Sequence, residues 1–221
     1  MMDKFQGQFA IPKWNEDQVR IGLTGGIASG KSSVGEFLKN SMNLPILDAD
    51  IYTHEILSSK SIYTDKIIQR FGKAVIAKDG GETNIINRKK LAAVIFQDKA
   101  ERVWLEDTLH PIIQARIEEE INNHTKSNII ILIVPLLFEA KLTSLCNQLW
   151  VVNCSLEQQK ERLMKRDNLK EEEAIQRVNS QLSLKDKVKM ADVVINNARE
   201  FNSWEKEVIE LISSLKKRSL I

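Results

Sequence analysis

Gly25-Gly26-Ile27-Ala28-Ser29-Gly30-Lys31-Ser32 is the stretch on which the fold turns. It fits G-x-x-x-x-G-K-[ST] and lies between a short apolar run, Arg20 to Thr24, and a helical pattern, Lys31 to Asn40, in which Val34, Phe37 and Leu38 share one face. That setting gives the spacing its chemistry. Gly25 and Gly30 let the backbone turn so that successive N–H groups point at phosphate oxygens. The helix that follows adds the positive end of its dipole. Lys31 reaches the outer phosphates of a nucleoside triphosphate, and the Ser32 hydroxyl is placed to meet its Mg²⁺. Five of the nine glycines fall between Gly22 and Gly35, so backbone freedom is concentrated at this one place.

Working outward, further apolar runs alternate with helical patterns. Pro45 to Leu47, Asn128 to Val134, Leu149 to Asn153 and Val193 to Asn196 read as strands. The unbroken run at Asn128 to Val134 suits a central strand covered on both faces. The alternation predicts an α/β fold, a five-stranded parallel sheet wrapped by helices. Leu156 to Lys165 reads as a helix, and the last helix carries Trp204, Val208, Leu211, Ile212 and Leu215 on one stripe. Two segments break the alternation. Residues 59–124 read as mostly helical, with Ile113, Ile117 and Ile121 recurring at every fourth position, and predict an inserted substrate-side subdomain. Residues at about 165–189 are charged and helical, the pattern of a lid over a cleft or of a solvated helix. The core is then 19–58 with 125–221, preceded by an extension at 1–18.

The balance of residues excludes several classes. The 32 Lys and Arg oppose 30 Asp and Glu, an excess too small to point to nucleic acid or an anionic membrane. Cys146 and Cys154 form no CxxC, so they read as reduced thiols in or near the core. No apolar run reaches the roughly 20 residues that a membrane span needs. Residues 1–18 lack a signal-peptide pattern and read as a flexible or loosely docked extension, with a cytoplasmic enzyme as the expectation.

The second strand runs into Asp48 and Asp50. Ligands of open parallel sheets bind beyond the carboxyl ends of the strands, where the glycine-rich loop also lies. Residues two apart on an extended segment point the same way, so both carboxylates are expected to face the cleft. A phosphoryl transfer to an alcohol needs a group to orient the hydroxyl and take its proton. Asp50 is the candidate, and Asp48 either shares the site or caps the next helix.

GLTGGIASGKSS followed by LDADIYTHEIL resembles the opening of the dephospho-coenzyme A kinases. INRKKLAAVIF, LEDTLHPII, VPLLFEA, QQKERLMKRD, AIQRVNSQ and ADVVINNA follow in that family's order, covering about residues 19 to 212. The resemblance implies a P-loop kinase fold with ATP and dephospho-coenzyme A as substrates, Mg²⁺ as the ion, and transfer to the ribose 3′-hydroxyl. It implies Asp50 as the base, with Lys31, Arg162 and Arg166 on the transferring group. It implies Gly25, Gly26, Ile27, Ala28, Ser29, Gly30, Lys31, Ser32 and Ser33 at the ATP phosphates, Ser32 also at Mg²⁺. On the acceptor side it implies Arg88, His110, Leu136, Phe138 and Glu139. His110-Pro111 equally suits a helix bend, and Glu139 equally suits binding a lid arginine. Ala28 stands where the family commonly has glycine, Ser33 where threonine is common, and Asn196-Asn197 where Asp-Asn is usual. The rivals are a P-loop kinase with another acceptor, a nucleotide-dependent switch or binding protein, and a catalytically dead relative, which an intact Lys31, Ser32 and Asp50 disfavours. The DxxG and NKxD strings of GTPase switches do not occur.

Overall fold

The structure, a computed structural model, describes residues 15, 17–77, 85–198 and 204–218. The core opens with β1 (Val19–Gly25), α1 (Lys31–Asn40), β2 (Ile46–Asp48) and α2 (Ala49–Ser58). Helices α3 (Ile62–Phe71), α4 (Arg88–Gln97) and α5 (Lys99–Asn123) follow before β3 (Ile129–Ile133) and β4 (Gln148–Asn153). Then come α6 (Leu156–Asp167), α7 (Glu171–Asn179), α8 (Leu184–Lys189), β5 (Val193–Asn196) and α9 (Glu205–Arg218). The five strands form one parallel sheet in the order β2-β3-β1-β4-β5. The expected fold class is therefore the observed one.

Strand β3 shows why the sheet is covered twice. All five of its residues are buried. Alternate side chains point to opposite faces. Ile129, Ile131 and Ile133 pack with Val34, Leu38, Trp204, Val208 and Ile212 from α1 and the region of α9. Ile130 and Leu132 pack with Ile113, Ile117 and Ile121 of α5 on the other side. The fourfold isoleucine repeat is thus the contact between α5 and the sheet. Helix α5 lies within the span 59–124 yet packs directly on the sheet through this stripe. Its N-cap Asp98 accepts from Ala100 and Glu101 N–H, and Pro111 lies inside it.

Residues 1–14 and 16 of the expected extension lie outside the described residues. Its last residue, Gln18, is buried, and its amide donates to the His124 and Ser127 carbonyls. Both cysteines are free thiols, as their spacing implied. Among the described residues no helix is long and apolar enough to cross a membrane.

Candidate active site

The glycine-rich loop links β1 to α1, as its pattern required. Gly30 caps α1 at φ 103°. A side chain is strained there, and a Cβ would also run into the Asn197 amide nitrogen. Gly30→Ala is therefore expected to lower stability by about 1–3 kcal/mol, read from a denaturant titration. Ala28 takes φ 57°, the left-handed conformation, without being glycine.

Three side chains from outside the loop hold it. Gln159 of α6 donates to the Ile27 carbonyl at 2.8 Å, and the Ile27 N–H donates to the Gln181 side chain at 3.1 Å. The Asn197 amide donates to the Ser29 carbonyl at 2.9 Å. None of the three stands out as a site residue from the sequence. The one available signal is Gln159, a polar residue one helical turn before the buried Leu163. Lys31 lies over the loop, its ammonium donating to the Gly25 and Gly26 carbonyls at 3.4 and 3.2 Å. Enclosure against the loop, and then the charge of Lys187, push its pKa down to about 8, against the pull of Asp50. The side chain retains some exposed area, but the ammonium itself is enclosed.

The two aspartates do not share an extended segment. Helix α2 begins at Ala49, so Asp48 is its N-cap, and its carboxylate accepts the Asp50 N–H at 2.8 Å. The capping alternative for Asp48 therefore holds, and burial pushes its pKa up. Asp50 sits in the first helical turn, exposed, and it still faces the cleft. Its charge is felt by both Lys31 and Arg166.

A cleft of about 680 Å³ joins the loop to α5. Residues 27–32 form one wall; Gly25 and Gly26 lie buried behind it, and Ser33 is exposed on α1 away from it. Arg88, at the start of α4, and His110 and Arg102, on α5, form the opposite wall with Leu136. Burial pushes the His110 pKa down, against Glu106 and Asp107. Phe138 and Glu139 do not line the cleft. Glu139 instead accepts from Lys187 and from the Leu182 N–H, both at 2.9 Å, so its cationic partner is a lysine and not the arginine that the sequence suggested. Its other oxygen is buried without a partner.

Arg162 and Arg166 reach the cleft from α6 with different commitments. Arg162 Nη2 donates to the Asn197 carbonyl at 3.0 Å, while Nη1 is buried without a partner. Arg166 donates twice to Asp167, at 2.8 and 3.1 Å, and Asp167 also takes Arg177. Lys31 and four arginines, with only Asp50 and Glu106 as acids, make the cleft strongly cationic. Among the described residues there is no cluster of three or more His, Cys, Asp or Glu fit to cage a metal ion.

A phosphate loop, a facing carboxylate and a cationic cleft describe a phosphoryl-transfer site. The family model for dephospho-CoA kinase matches residues 19–203 of the chain. The chain belongs to the dephospho-CoA kinase family. A dephospho-CoA kinase of Prochlorococcus marinus is 47% identical over 193 residues, spanning 87% of this chain and 92% of the relative. The dephospho-CoA kinase of Campylobacter jejuni superposes with a TM-score of 0.65 at 30% identity, covering 90% of this chain and 97% of that one. A Thermus thermophilus protein superposes at 0.72 with 28% identity, covering 90% and 98%. Membership in this family makes the chain an ATP-dependent kinase, and the resemblance in the sequence holds at the level of both sequence and fold.

Proposed function

We propose that the chain transfers the γ-phosphoryl group of ATP to the ribose 3′-hydroxyl of dephospho-coenzyme A, giving coenzyme A and ADP. The observation that carries this reading is the single cleft in which the phosphate loop faces Asp50 across cationic walls. Residues 27–32 and Lys31 hold the triphosphate. Asp50 orients the acceptor hydroxyl and accepts its proton as the new P–O bond forms and the bond to ADP breaks. Arg162 and Arg166 take up charge on the phosphoryl group in flight. Most of the acceleration in such a transfer is positioning and electrostatics.

The α3–α5 side supplies the acceptor site, where Arg88, His110 and Leu136 are the contacts and Arg102 is added to them. The acceptor is itself a diphosphate, which suits two arginines on that wall. Phe138 and Glu139 lie off that wall, and Glu139 acts through Lys187. Helices α7 and α8 form the lid that excludes water while ATP is committed.

Mg²⁺ fits this donor set. In kinase sites the ion takes one or two protein ligands and otherwise phosphate oxygens and water, so no cage is required. Ser32, at the cleft, would supply the hydroxyl ligand. The ion neutralises charge on the β- and γ-phosphates when bound.

The test is ADP release from Mg-ATP with dephospho-coenzyme A set beside AMP, CMP, UMP and pantothenate. Turnover with dephospho-coenzyme A alone supports the reading, and turnover with another acceptor in its place overturns it. The same assay gives a pH profile. Lys31 carries its charge below about pH 8 and loses it above. We expect kcat/KM for Mg-ATP to fall by about tenfold per pH unit beyond that point, because this parameter follows the free enzyme's groups. A flat profile to pH 10 means that Lys31 keeps its charge over that range and that enclosure does not lower its pKa in solution.

A further inference from the structure

Lys187 is completely buried, an uncommon place for an ammonium group. It comes from α8 and donates to three oxygens: Glu139 at 2.9 Å, the Pro135 carbonyl at 3.2 Å and the Gly25 carbonyl at 3.4 Å. The last of these is shared. Lys31 donates to the same Gly25 oxygen, also at 3.4 Å. Two ammonium groups therefore meet at the first residue of the phosphate loop.

The neighbouring residues tighten the same seam. Gln181 holds the Ile27 N–H, and the Leu182 N–H shares the Glu139 oxygen that Lys187 uses. Residues 181–187 are thus fastened to the loop at Ile27 and Gly25 and to the turn after β3. A buried ion pair is poor evidence for stability, since well-packed apolar residues serve as well or better. The placement of this one answers a different need.

Lys31 has to leave the loop carbonyls to meet a phosphate. A buried carbonyl that loses its donor pays a desolvation cost unless another donor stays. Lys187 stays on Gly25. Its like charge also disfavours Lys31 in its resting position and favours a move towards an anion. We propose that Lys187 is a positioning residue of the ATP site, holding the Gly25 carbonyl and the turn after β3 so that Lys31 is free to turn to the phosphates. The proposal rests on the reading of the cleft as an ATP site. It also makes residues 181–187 the fixed base of the α7–α8 lid.

The test is equilibrium binding of Mg-ATP to the full chain, without acceptor, for Lys187→Met and for the double variant Glu139→Gln/Lys187→Met. The double variant removes the unpaired carboxylate that the single one leaves behind. We expect Kd for Mg-ATP to rise by about tenfold in both, the scale of one charge-assisted hydrogen bond. KM for dephospho-coenzyme A should stay within about twofold, and the double variant should melt close to the parent. Parental Mg-ATP affinity in the double variant overturns the proposal. So does a double variant that fails to fold, or that loses both substrates in step, because Lys187 is then scaffolding. Binding is measured without acceptor, so an error in the acceptor assignment leaves this readout intact.

Discussion

Asp50→Asn is expected to lower kcat by about 10²–10⁴ while the KM for Mg-ATP stays within about twofold. The substitution is close to isosteric and the site favours it as a clean test. Asp50 is exposed, so no buried partner is orphaned. Its backbone N–H is what Asp48 caps, and that bond does not depend on the side chain. The start of α2 should therefore survive unchanged. What is lost is the ability to take a proton from the acceptor hydroxyl. Asparagine can still accept a hydrogen bond from that hydroxyl, so acceptor binding should weaken little. The effect then falls on kcat, the signature of an interaction made in the transition state. Steady-state kinetics in both substrates separate the two parameters. Near-normal turnover removes Asp50 from the base role and leaves positioning alone to explain the rate.

The same pair of aspartates shows what was legible in the sequence and what was not. The glycine-rich loop, β3 and the isoleucine repeat of α5 could be read because their signals are local. Each depends on spacing within one element and on one face meeting a core. That both aspartates sit at the strand end was also legible. Their geometry was not, because an aspartate caps as readily as it extends a strand, and the helix begins one residue after Asp48. Lys187 was hidden for a different reason. It sits in the charged run KDKVK, where a solvated lysine is the ordinary outcome. Its burial is decided by Glu139 and by carbonyls at Gly25 and Pro135, all distant in the chain. Gln181 and Asn197 are the same case, since each is a side chain whose partner is loop backbone more than a hundred residues earlier. The elements of the site were readable, and the bonds that hold its loop in place were tertiary.

The arginines carry the second large prediction. Arg162→Met should lower kcat by about 10³, the lower end of what a transition-state arginine contributes. Arg166→Met should cost far less. The difference lies in what each guanidinium already holds. The Nε–Nη2 edge of Arg166, the edge suited to gripping an oxyanion with two bonds, is engaged by Asp167, and its side chain is more than half exposed. Arg162 is anchored on one side only, through Nη2 to the Asn197 carbonyl. Its Nη1 is buried on the cleft wall with no partner, and a buried unpaired donor is costly unless it has an acceptor at some stage of the cycle. A phosphoryl oxygen supplies that acceptor most strongly as charge spreads over it. Asn197 also holds the Ser29 carbonyl, so the arginine and the phosphate loop are set against one residue. Arg162→Lys sharpens the test. Lysine keeps the charge but has no planar fork, so it cannot hold Asn197 and a phosphoryl oxygen in the same geometry. It should recover no more than about tenfold of the loss. Single-turnover kinetics with saturating ATP measure this directly. Full activity in Arg162→Lys means that a point charge suffices and that the anchored fork is not what the reaction uses. Equal losses at Arg162 and Arg166 mean that Asp167 releases Arg166 when substrates bind.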